Sequence, residues 1–543
     1  MMTGAAVMIR CLEAEGVRVL FGYPGAAICP FYDELPGSGL HHVLVRTEQN
    51  AAHAASGYAR ISGQVGVCVS TSGPGATNLL TGIASAYMDS IPLVIITGQV
   101  RSDLLGRDVF QEADITGAAE PFTKHSYIVH SAGDLPRIFR EAFHIAGTGR
   151  PGPVLIDVPI DMQQRSIADF DEAKYHRPVD IIGYKPRTQG HPLQIRKALE
   201  ALSTAKRPVL CAGGGVFSSK AQDALRAFVE QLQLPTVSTM MGIGALPSDH
   251  PLYLGMLGSH GCASANKAVR DADLILLAGA RAGDRAMAAP GQLATRARII
   301  HIDIDPAEIG KNLPVYVPIV GDLGTVLRQL CEGAHCQAPA DWVHTVTDRR
   351  ARHDSKPIPP AEGFVEPKTF LRELSLAMRP DGILCADVGQ NQIWAANHVC
   401  VRQGRFLTSG GMGTMGYSIP CAIGAKSARP DLQVCAVCGD GSFQMSMMEL
   451  ATACAEGLGI KIAVLCNGHL GMVREMQDHL YGGRRSATSL TGDPDFVALA
   501  GAYGIRARRA RSQQEALDAL GEMWADDAPY LLACDIAPDY PSL

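Results

Sequence analysis

The segment Val434-Cys-Ala-Val-Cys-Gly-Asp-Gly-Ser-Phe443 joins a run of small apolar residues to a Gly-Asp-Gly turn. The run predicts a buried parallel strand, and the turn predicts a helix that begins near Ser442. A helix N-terminus offers unpaired N–H groups and the positive end of the helix dipole, which suits a phosphate, and glycines let the backbone approach it closely. Asp440 is therefore a candidate ligand for a divalent ion beside a phosphate.

One carboxylate is not enough for Mg²⁺, which prefers an octahedron of oxygen ligands. The next predicted strand, Ile460–Leu465, is followed by Cys466-Asn467-Gly-His469. Because the carboxyl ends of neighbouring parallel strands lie side by side, the Asn467 amide oxygen can reach an ion that Asp440 binds. Gly-Asp-Gly alone is more often an ordinary turn. Its combination with an asparagine after the next strand resembles the motif that binds thiamine diphosphate in one enzyme superfamily.

Similar short apolar runs alternate with segments of helical period along the whole chain, which predicts an α/β fold. Polar, irregular segments at about 162–195 and 335–366 interrupt this alternation and are predicted to be linkers. The sequence therefore predicts three α/β domains with parallel sheets. They cover residues 1–165, 190–335 and 365–543. Predicted strands are Val43–Val45, Val65–Val69, Leu93–Thr97, Val154–Val158, Pro208–Gly213, Leu274–Gly279, Ile299–Asp305, Ile383–Ala386 and Tyr530–Asp535.

Composition is that of an ordinary globular protein rather than of a nucleic-acid-binding or membrane protein. The 543 residues are 47% hydrophobic and 19% charged, with a formal net charge of −6 and no long basic run. This charge balance predicts neither nucleic acid nor an anionic membrane as a partner. The longest apolar runs, such as Ile91–Ile96, are far too short to span a bilayer. The amphipathic segment Thr3–Glu15 does not resemble a signal peptide, so we expect a cytoplasmic protein.

Fifteen cysteines are spread along the chain, several of them inside predicted strands. Cys435 and Cys438 form a C-x-x-C pair, but no second pair follows at the spacing of a zinc site. In a strand these two side chains point to opposite faces. We expect the cysteines to be small buried hydrophobic residues with free thiols.

The chain as a whole resembles the acetolactate synthase family, from Phe21 to about Asp535. The resemblance rests on these stretches: Gly22-Tyr-Pro-Gly25, Glu48-Gln-Asn-Ala-Ala-His53, Gly57-Tyr-Ala-Arg60, Ser72-Gly-Pro-Gly-Ala-Thr-Asn78, Phe110-Gln-Glu-Ala-Asp114, Gly149-Arg-Pro-Gly-Pro153, His301-Ile-Asp-Ile-Asp305, Asp387-Val-Gly-Gln390, Ser409–Gly416 and His469-Leu-Gly-Met-Val473. It implies a thiamine-diphosphate-dependent transferase that decarboxylates pyruvate and adds the two-carbon unit to a second 2-keto acid, forming 2-acetolactate for branched-chain amino acid biosynthesis.

The resemblance also implies roles for individual residues. Glu48 would contact N1′ of the cofactor's aminopyrimidine, where a carboxyl in a dry site shares a proton with that nitrogen. Met415 would pack between the two cofactor rings, and Gln111 would lie near the reacting centre. Outside this motif, Glu48 would be an ordinary acidic residue at the start of the predicted helix Gln49–Ile61. Met415 would be an ordinary residue of the hydrophobic core. The implied thiamine diphosphate ligands are Gly25, Gly389, Gln390, Asn391, Gly413, Met415, Asp440, Gly441, Ser442 and Met472. The implied Mg²⁺ ligands are Asp440, Asn467 and the backbone carbonyl of His469.

The central domain resembles the part of the family that binds FAD, a cofactor that takes no net redox part in the ligation. The implied FAD contacts are Gly213, Gly214, Thr239, Met240, His260, Gly279, Arg281, Asp303 and Asp322. An empty pocket, or one that binds an adenine nucleotide, is the alternative. Glu48 and Asp440 lie in different domains, and in the family such residues come from different subunits. A homodimer or homotetramer is therefore implied, and a regulatory small subunit is a possible further partner.

The sequence departs from the family where the acceptor substrate should bind. Ile160 replaces a lysine and Met476 replaces a tryptophan, whereas Arg285, which would meet the acceptor carboxylate, is retained. On the diphosphate side, Asn391 replaces a histidine, which is a milder change. The implied substrate residues are Phe110, Arg285, Ile160, Val473 and Met476. A flexible methionine in place of an aromatic ring softens a pocket, so the acceptor stays open. A paralogue with another acceptor, a simple 2-keto acid decarboxylase and a non-catalytic nucleotide-binding protein remain alternatives.

Overall fold

The computed structural model describes residues 1–167, 170–287, 295–355, 358–359 and 361–543. These residues contain three six-stranded sheets, and every strand pair within them is parallel. A short antiparallel pair, Met2–Thr3 with Ser166–Ile167, is the additional sheet. The predicted fold class is therefore confirmed. No helix in the described part of the chain is long and apolar enough to cross a membrane.

The first sheet has the spatial order His41–Leu44, Val19–Gly22, Gly66–Ser70, Leu93–Gln99, Pro153–Pro159 and His125–Ile128. Its central strands are buried along their whole length, as continuous apolar runs predict for strands covered on both faces. The helices around it are Gly4–Ala14, Cys29–Glu34, Glu48–Ser62, Pro74–Asn78, Leu80–Asp89, Ile115–Ala119, Leu135–Gly147 and Ile160–Gln164.

The second sheet has the order Tyr253–Met256, Thr236–Ser238, Pro208–Ala212, Leu274–Ala278, Arg298–Asp303 and Val317–Val320. From Pro208–Ala212 the chain builds the sheet outward to Tyr253–Met256 and then returns to Leu274–Ala278 on the other side of Pro208–Ala212, which creates a crevice at the carboxyl ends of these two neighbouring strands. The described helices of this part are Pro192–Thr204, Gly215–Ser218, Gln222–Leu232, Ala263–Asp271, Leu323–Gly333 and Ala340–Asp354.

The third sheet has the order Arg405–Leu407, Ile383–Ala386, Val434–Gly439, Ile460–Cys466, Tyr530–Asp535 and Arg506–Ala510. Its helices are Pro367–Ala377, Gln390–His398, Ser418–Ala428, Asp440–Gln444, Leu450–Ala455, Gly471–Leu480, Phe496–Ala502 and Gln513–Met523. Cys435 and Cys438 belong to the cores on opposite faces of this sheet, as predicted, and all fifteen cysteines are free.

The predicted linkers contain more regular structure than their polarity indicates. The prediction of an irregular segment at 335–366 is wrong, because it includes the helix Ala340–Asp354. Trp342 and Val346 form the buried face of this otherwise polar helix, and the Trp342 indole donates to the carbonyl of Pro208 at 3.0 Å. In the segment 162–195, the helix Glu172–Tyr175 buries Tyr175 against the first domain. Pro357 and Pro360 of the second predicted linker lie outside the described residues.

The first and third domains share one hydrophobic core. It includes Phe21 and Ala51 from the first domain and Ile419 and Ala436 from the third. At its centre the helices Glu48–Ser62 and Ser418–Ala428 are in direct backbone contact. A Cβ atom added to Gly424 would lie 1.8 Å from the carbonyl oxygen of Ala54. Only glycine permits this approach, which fixes where the N-terminus of the Glu48–Ser62 helix lies.

We expect Gly424→Ala to destabilise the protein by about 1–3 kcal/mol, because the added methyl group must separate the two helices. Urea unfolding followed by circular dichroism measures the change. Gly521→Ala is the matched control, since Gly521 lies in a helix with no atom within 4 Å of an added Cβ atom. That control should be neutral or slightly stabilising, by up to about 1 kcal/mol. Equal unfolding midpoints for the two variants would contradict the packing argument.

Candidate active site

Asp440 lies at the carboxyl edge of the third sheet and is buried. It is the first residue of the helix Asp440–Gln444, which thus begins two residues before the predicted start at Ser442. One carboxylate oxygen accepts the N–H groups of Asn467 at 2.9 Å and Gly468 at 2.7 Å, and the other accepts that of Gly441 at 2.9 Å. Burial raises the pKa of Asp440 to about 6. Among the described residues no basic side chain forms an ion pair with this carboxylate.

The structure brings Asn467 to the same edge, because Gly439 and Leu465 are paired in neighbouring strands. The Asn467 side-chain amide donates to the Gln390 side-chain oxygen at 3.1 Å, and its own oxygen accepts the N–H of His469 at 3.0 Å. The His469 imidazole Nδ1 lies 2.8 Å from the Asn467 carbonyl. The described residues contain no cluster of three His, Cys, Asp or Glu side chains that could bind a metal. The groups here that could coordinate a metal ion are one carboxylate together with amide and carbonyl oxygens.

Two helix N-termini meet at this edge. The helix Gln390–His398 follows the strand Ile383–Ala386, which pairs with Val434–Gly439, the strand that leads into the helix at Asp440. Gly389 precedes the first of these helices with φ 146°, and the Asn391 amide donates to the Asp387 carbonyl at 2.7 Å. The Ser442 hydroxyl accepts the Gly439 N–H at 3.0 Å. The unpaired N–H groups of helix ends suit a phosphate.

Met415 is close to this group of residues. A Cβ atom added to Gly441 would lie 3.8 Å from the Met415 Cε atom, so the methionine side chain extends toward the Gly441 backbone. Buried Asp387 fixes the end of the Met415 loop, because its carboxylate accepts the N–H groups of Gly416 at 2.9 Å and Ser418 at 2.8 Å. The predicted diphosphate residues and the predicted ring-separating methionine thus form one site on the third domain.

The predicted site residues of the first domain form a separate group. The Glu48 carboxylate is half-buried and accepts a hydrogen bond from the Asn78 amide at 2.9 Å. Gln111 has φ 58° and packs against Gly73. Gly25 lies against Thr71, and the Phe110 side chain is 86% exposed. Among the described residues, Glu48 forms no hydrogen bond with the Asp440 group, so one chain presents two half-sites.

The loop that carries Phe110 and Gln111 is attached to the sheet by a buried carboxylate. Asp157 accepts hydrogen bonds from the Thr97 hydroxyl at 2.6 Å and from the Gln99 amide at 2.9 Å. The same Gln99 amide donates to the Ala113 carbonyl at 2.8 Å. Burial raises the pKa of Asp157 to about 7.

A cavity of about 1560 Å³ lies where the three domains meet. Eight of the nine predicted FAD contacts line it, and the ninth, Gly213, packs against the lining residue Gly279. Four further predicted site residues also line it. These twelve residues are Gly214, Thr239, Met240, His260, Gly279, Arg281, Asp303, Asp322, Arg285, Gly413, Met472 and Met476. Burial raises the pKa of Asp303 to about 6 and lowers that of His260.

The predicted acceptor residues are divided between the two halves. Arg285 and Met476 line the cavity and are largely accessible, and Val473 is 46% exposed beside them. Ile160 begins the helix Ile160–Gln164, and Phe110 lies on the first-domain loop; neither lines the cavity.

Several cavity residues were missed by the sequence analysis. Arg150 pairs with Asp305 at 3.3 Å and with Glu308 at 2.8 Å, and so joins the first domain to the second. Its motif, Gly149–Pro153, contributes to the family resemblance, but the motif predicts no role for the arginine. Asp89 and Glu475 also line the cavity, and no spacing in the sequence indicates that they do.

Comparison with known proteins agrees with this architecture. Residues 2–118 match the family "Thiamine pyrophosphate enzyme, N-terminal TPP binding domain", residues 195–330 match its "central domain", and residues 387–534 match its "C-terminal TPP binding domain". The chain is 45% identical over 556 residues to a "Probable acetolactate synthase large subunit" of Methanococcus aeolicus, with 99% of this chain and 92% of that protein covered. It is 47% identical to the protein of the same name from Methanocaldococcus jannaschii, with the same coverage. It is also 47% identical to the acetolactate synthase large subunit of Corynebacterium glutamicum, with 96% of this chain and 84% of that protein covered.

The fold and the two helix N-termini beside Asp440 thus define a thiamine-diphosphate-dependent enzyme. Within that class, the chain belongs to the acetolactate synthase family.

We expect Asp157→Asn to change how stability depends on pH. The pKa of Asp157 is raised in the folded chain, so between about pH 4 and pH 7 the folded state binds a proton that the unfolded chain has released. Wild-type stability should therefore fall as the pH rises through this range, by roughly 2–3 kcal/mol between pH 5 and pH 8 relative to the variant. Urea midpoints at pH 5 and pH 8 measure the difference. Asp223→Asn, at an exposed position, should reproduce the wild-type dependence. Parallel curves for wild type and Asp157→Asn would refute the assignment.

Proposed function

We propose that this enzyme is an acetolactate synthase, which decarboxylates pyruvate and joins the remaining two-carbon unit to a second 2-keto acid. The observation that carries the proposal is the position of the Met415 side chain next to Gly441, beside buried Asp440, which forms no ion pair with a basic side chain among the described residues. Bound thiamine diphosphate supplies the nucleophilic carbon and the electron sink that loss of CO₂ from a 2-keto acid requires. The relatives named acetolactate synthase support the same activity.

The residues around Asp440 fit a divalent cation with a diphosphate. A buried carboxylate that only N–H groups contact is costly, and a cation beside it would offset that cost. Asp440, the Asn467 amide oxygen and the His469 carbonyl would bind Mg²⁺, a hard ion that prefers oxygen ligands. Gly389, Gln390, Asn391, Gly441 and Ser442 would bind the diphosphate through the helix N-termini.

A second copy of the chain would complete each site. Glu48 needs a dry environment to exchange a proton with an aminopyrimidine nitrogen, yet in one chain it is half-buried. Phe110 on the first half-site is 86% exposed, and Met445 and Val473 near the second are 52% and 46% exposed. A homodimer, or a homotetramer of two such dimers, would cover these surfaces and place Glu48, Gln111 and Gly25 of one copy against Met415 and Met472 of the other.

The cavity between the domains would bind FAD. Its wall contains a glycine-rich turn at the carboxyl edge of a parallel sheet and acidic residues on the next strands. α/β folds use this arrangement to bind nucleotides. The flavin would hold the residues of the cavity wall in position and would take no net redox part in the ligation. The relatives named as large subunits also favour a regulatory small subunit as a partner, and the family favours the cytoplasm as the location.

A carbonyl compound other than pyruvate is a second candidate for the acceptor substrate. Arg285 would bind a carboxylate on the acceptor, but Ile160 supplies no positive charge, and the Met476 side chain is 48% exposed and flexible. These two residues favour an acceptor range wider than that of a site shaped by an aromatic ring. A related carbonyl compound in place of the second pyruvate is thus the alternative, and simple decarboxylation to acetaldehyde is a third outcome.

Removal of the Asp440 carboxylate should abolish cofactor binding. With thiamine diphosphate and Mg²⁺ at about 100 times the dissociation constant, the wild type should gain about 2.7 kcal/mol of stability. Asp440→Asn should lose most of that gain, because the amide offers no negative charge to the cation. Thermal unfolding with and without both cofactors measures it. Asp518→Asn, on an exposed helix face, is the control and should keep the gain. Full stabilisation of Asp440→Asn would remove Asp440 from the metal site.

Product analysis tests the activity itself. With thiamine diphosphate, Mg²⁺ and pyruvate, NMR should show 2-acetolactate, and Glu48→Gln should lower turnover by about 100-fold or more. In an equimolar mixture of pyruvate and 2-ketobutyrate, Met476→Trp should shift the product ratio by about tenfold, because a ring restricts the pocket. Leu193→Trp, at an exposed position, should not shift it. Acetaldehyde as the product would favour a decarboxylase, and turnover only with an added carbonyl compound would favour the second candidate.

A further inference from the structure

The loop that carries Met415 has little structure of its own. It lies between the strand Arg405–Leu407 and the helix Ser418–Ala428, and residues 408–417 form neither helix nor strand. Glycines occupy positions 410, 411, 413 and 416. A segment so rich in glycine has many accessible backbone conformations, so contacts from outside must select the one that places Met415 near Gly441.

Asp89 of the first domain provides such a contact. It is the last residue of the helix Leu80–Asp89, and its two carboxylate oxygens accept the N–H groups of Gly411 at 2.7 Å and Gly410 at 3.1 Å. Hydrogen bonds to an ionised acceptor are stronger than neutral ones. The loop lies directly on the helix end, since a Cβ atom added to Gly411 would be 2.8 Å from the Cβ atom of Met88.

Ser85, one turn earlier on the same helix, makes a second contact. Its hydroxyl lies 3.0 Å from that of Ser409, and both residues are buried. The Ser409 oxygen also accepts the N–H of Thr414 at 3.1 Å, next to Met415. The hydrogen-bonded path from the first domain therefore reaches the residue before the methionine.

Arg60 contacts the two ends of the same loop. Its guanidinium donates to the Thr408 carbonyl at 2.8 Å and to the Tyr417 hydroxyl at 3.1 Å. Asp387 fixes Gly416 and Ser418 from within the third domain. The first domain thus contacts both ends of the loop, while Asp387 of the third domain fixes Gly416 and Ser418.

We propose that Asp89, with Ser85, is a positioning residue for catalysis, which holds the Met415 loop in its active conformation across the boundary between the first and third domains of one subunit. The proposal rests on the proposed function, because Met415 matters only if thiamine diphosphate binds beside it. Among the described residues, Asp89 forms no hydrogen bond or ion pair with the metal residues or the diphosphate residues. Its effect on catalysis would therefore pass through the loop backbone.

Hydrogen–deuterium exchange of the cofactor-free protein tests the contact directly. Fragmentation mass spectrometry of peptides that cover residues 408–418 follows the Gly410 and Gly411 amides. We expect Asp89→Ala to speed their exchange by about tenfold or more, and Asp89→Asn, which retains one acceptor oxygen, to have a smaller effect. The Gly416 and Ser418 amides, which Asp387 accepts, should stay at wild-type rates. Asp223→Asn should change none of these amides. Wild-type exchange of Gly410 and Gly411 in Asp89→Ala would overturn the proposal.

Kinetic measurements distinguish a role of Asp89 in positioning the Met415 loop from a purely structural role in packing the first domain against the third. Loss of loop position should lower kcat by about 10- to 100-fold while KM for pyruvate changes less than about threefold. The rate at which bound thiamine diphosphate exchanges its thiazolium C2 proton should fall in parallel, in Asp89→Ala and less in Ser85→Ala. If these variants lose only thermal stability, with wild-type kcat and C2 exchange, Asp89 is structural and the proposal fails. If wild-type protein shows no turnover of pyruvate at all, the proposed function fails, whereas the amide exchange result still decides whether Asp89 fixes the loop.

Discussion

The close contact between the helices Glu48–Ser62 and Ser418–Ala428 is the constraint on which the rest of the structure depends. Two glycines, Gly57 and Gly424, let the backbones approach until carbonyl oxygens occupy the space of side chains. Interiors are close-packed, so two helices in such contact have little freedom to slide. One helix begins at Glu48 and the other follows the Met415 loop. The packing of the first domain on the third therefore also sets the position of both predicted cofactor contacts.

Three buried carboxylates either belong to the predicted site or hold a loop that carries its residues. Asp440, Asp387 and Asp157 are carboxylates with almost no exposure, and each accepts hydrogen bonds from N–H or hydroxyl groups rather than from a basic side chain. Burial of a carboxylate is unfavourable unless its oxygens are well satisfied. All three lie at carboxyl edges of parallel strands or directly after them. The carboxyl ends of these strands thus carry the polar residues that fix loops.

Much of this arrangement could be predicted from the sequence. Continuous apolar runs predicted the strands Ile383–Ala386 and Tyr530–Asp535 with the observed bounds, and the parallel-sheet rule placed Asn467 beside Asp440. The helix Ala340–Asp354 could not be predicted, because only Trp342 and Val346 of its fifteen residues are buried and the rest is as polar as a linker. The role of Asp89 could not be predicted either, because its partners are backbone N–H groups 321 and 322 positions away. Every residue except proline has such a group, so the sequence does not indicate which ones Asp89 contacts. Sequence patterns report periodicity and short motifs; contacts between distant backbones appear only in three dimensions.

The cavity between the domains has walls from all three of them, with Arg150 of the first domain paired to Asp305 and Glu308 of the second at its edge. A molecule that fills such a space contacts every domain at once and binds only when all three are folded and adjacent. Its binding free energy would then add less to the stability of any one domain than to the coupling among them. Unfolding of the filled protein should be one cooperative transition, whereas in the empty protein the three domains are coupled by side-chain pairs such as that of Arg150 and by the core that the first and third domains share. In this fold, a nucleotide-sized ligand would join the central domain to the core that the first and third domains already share.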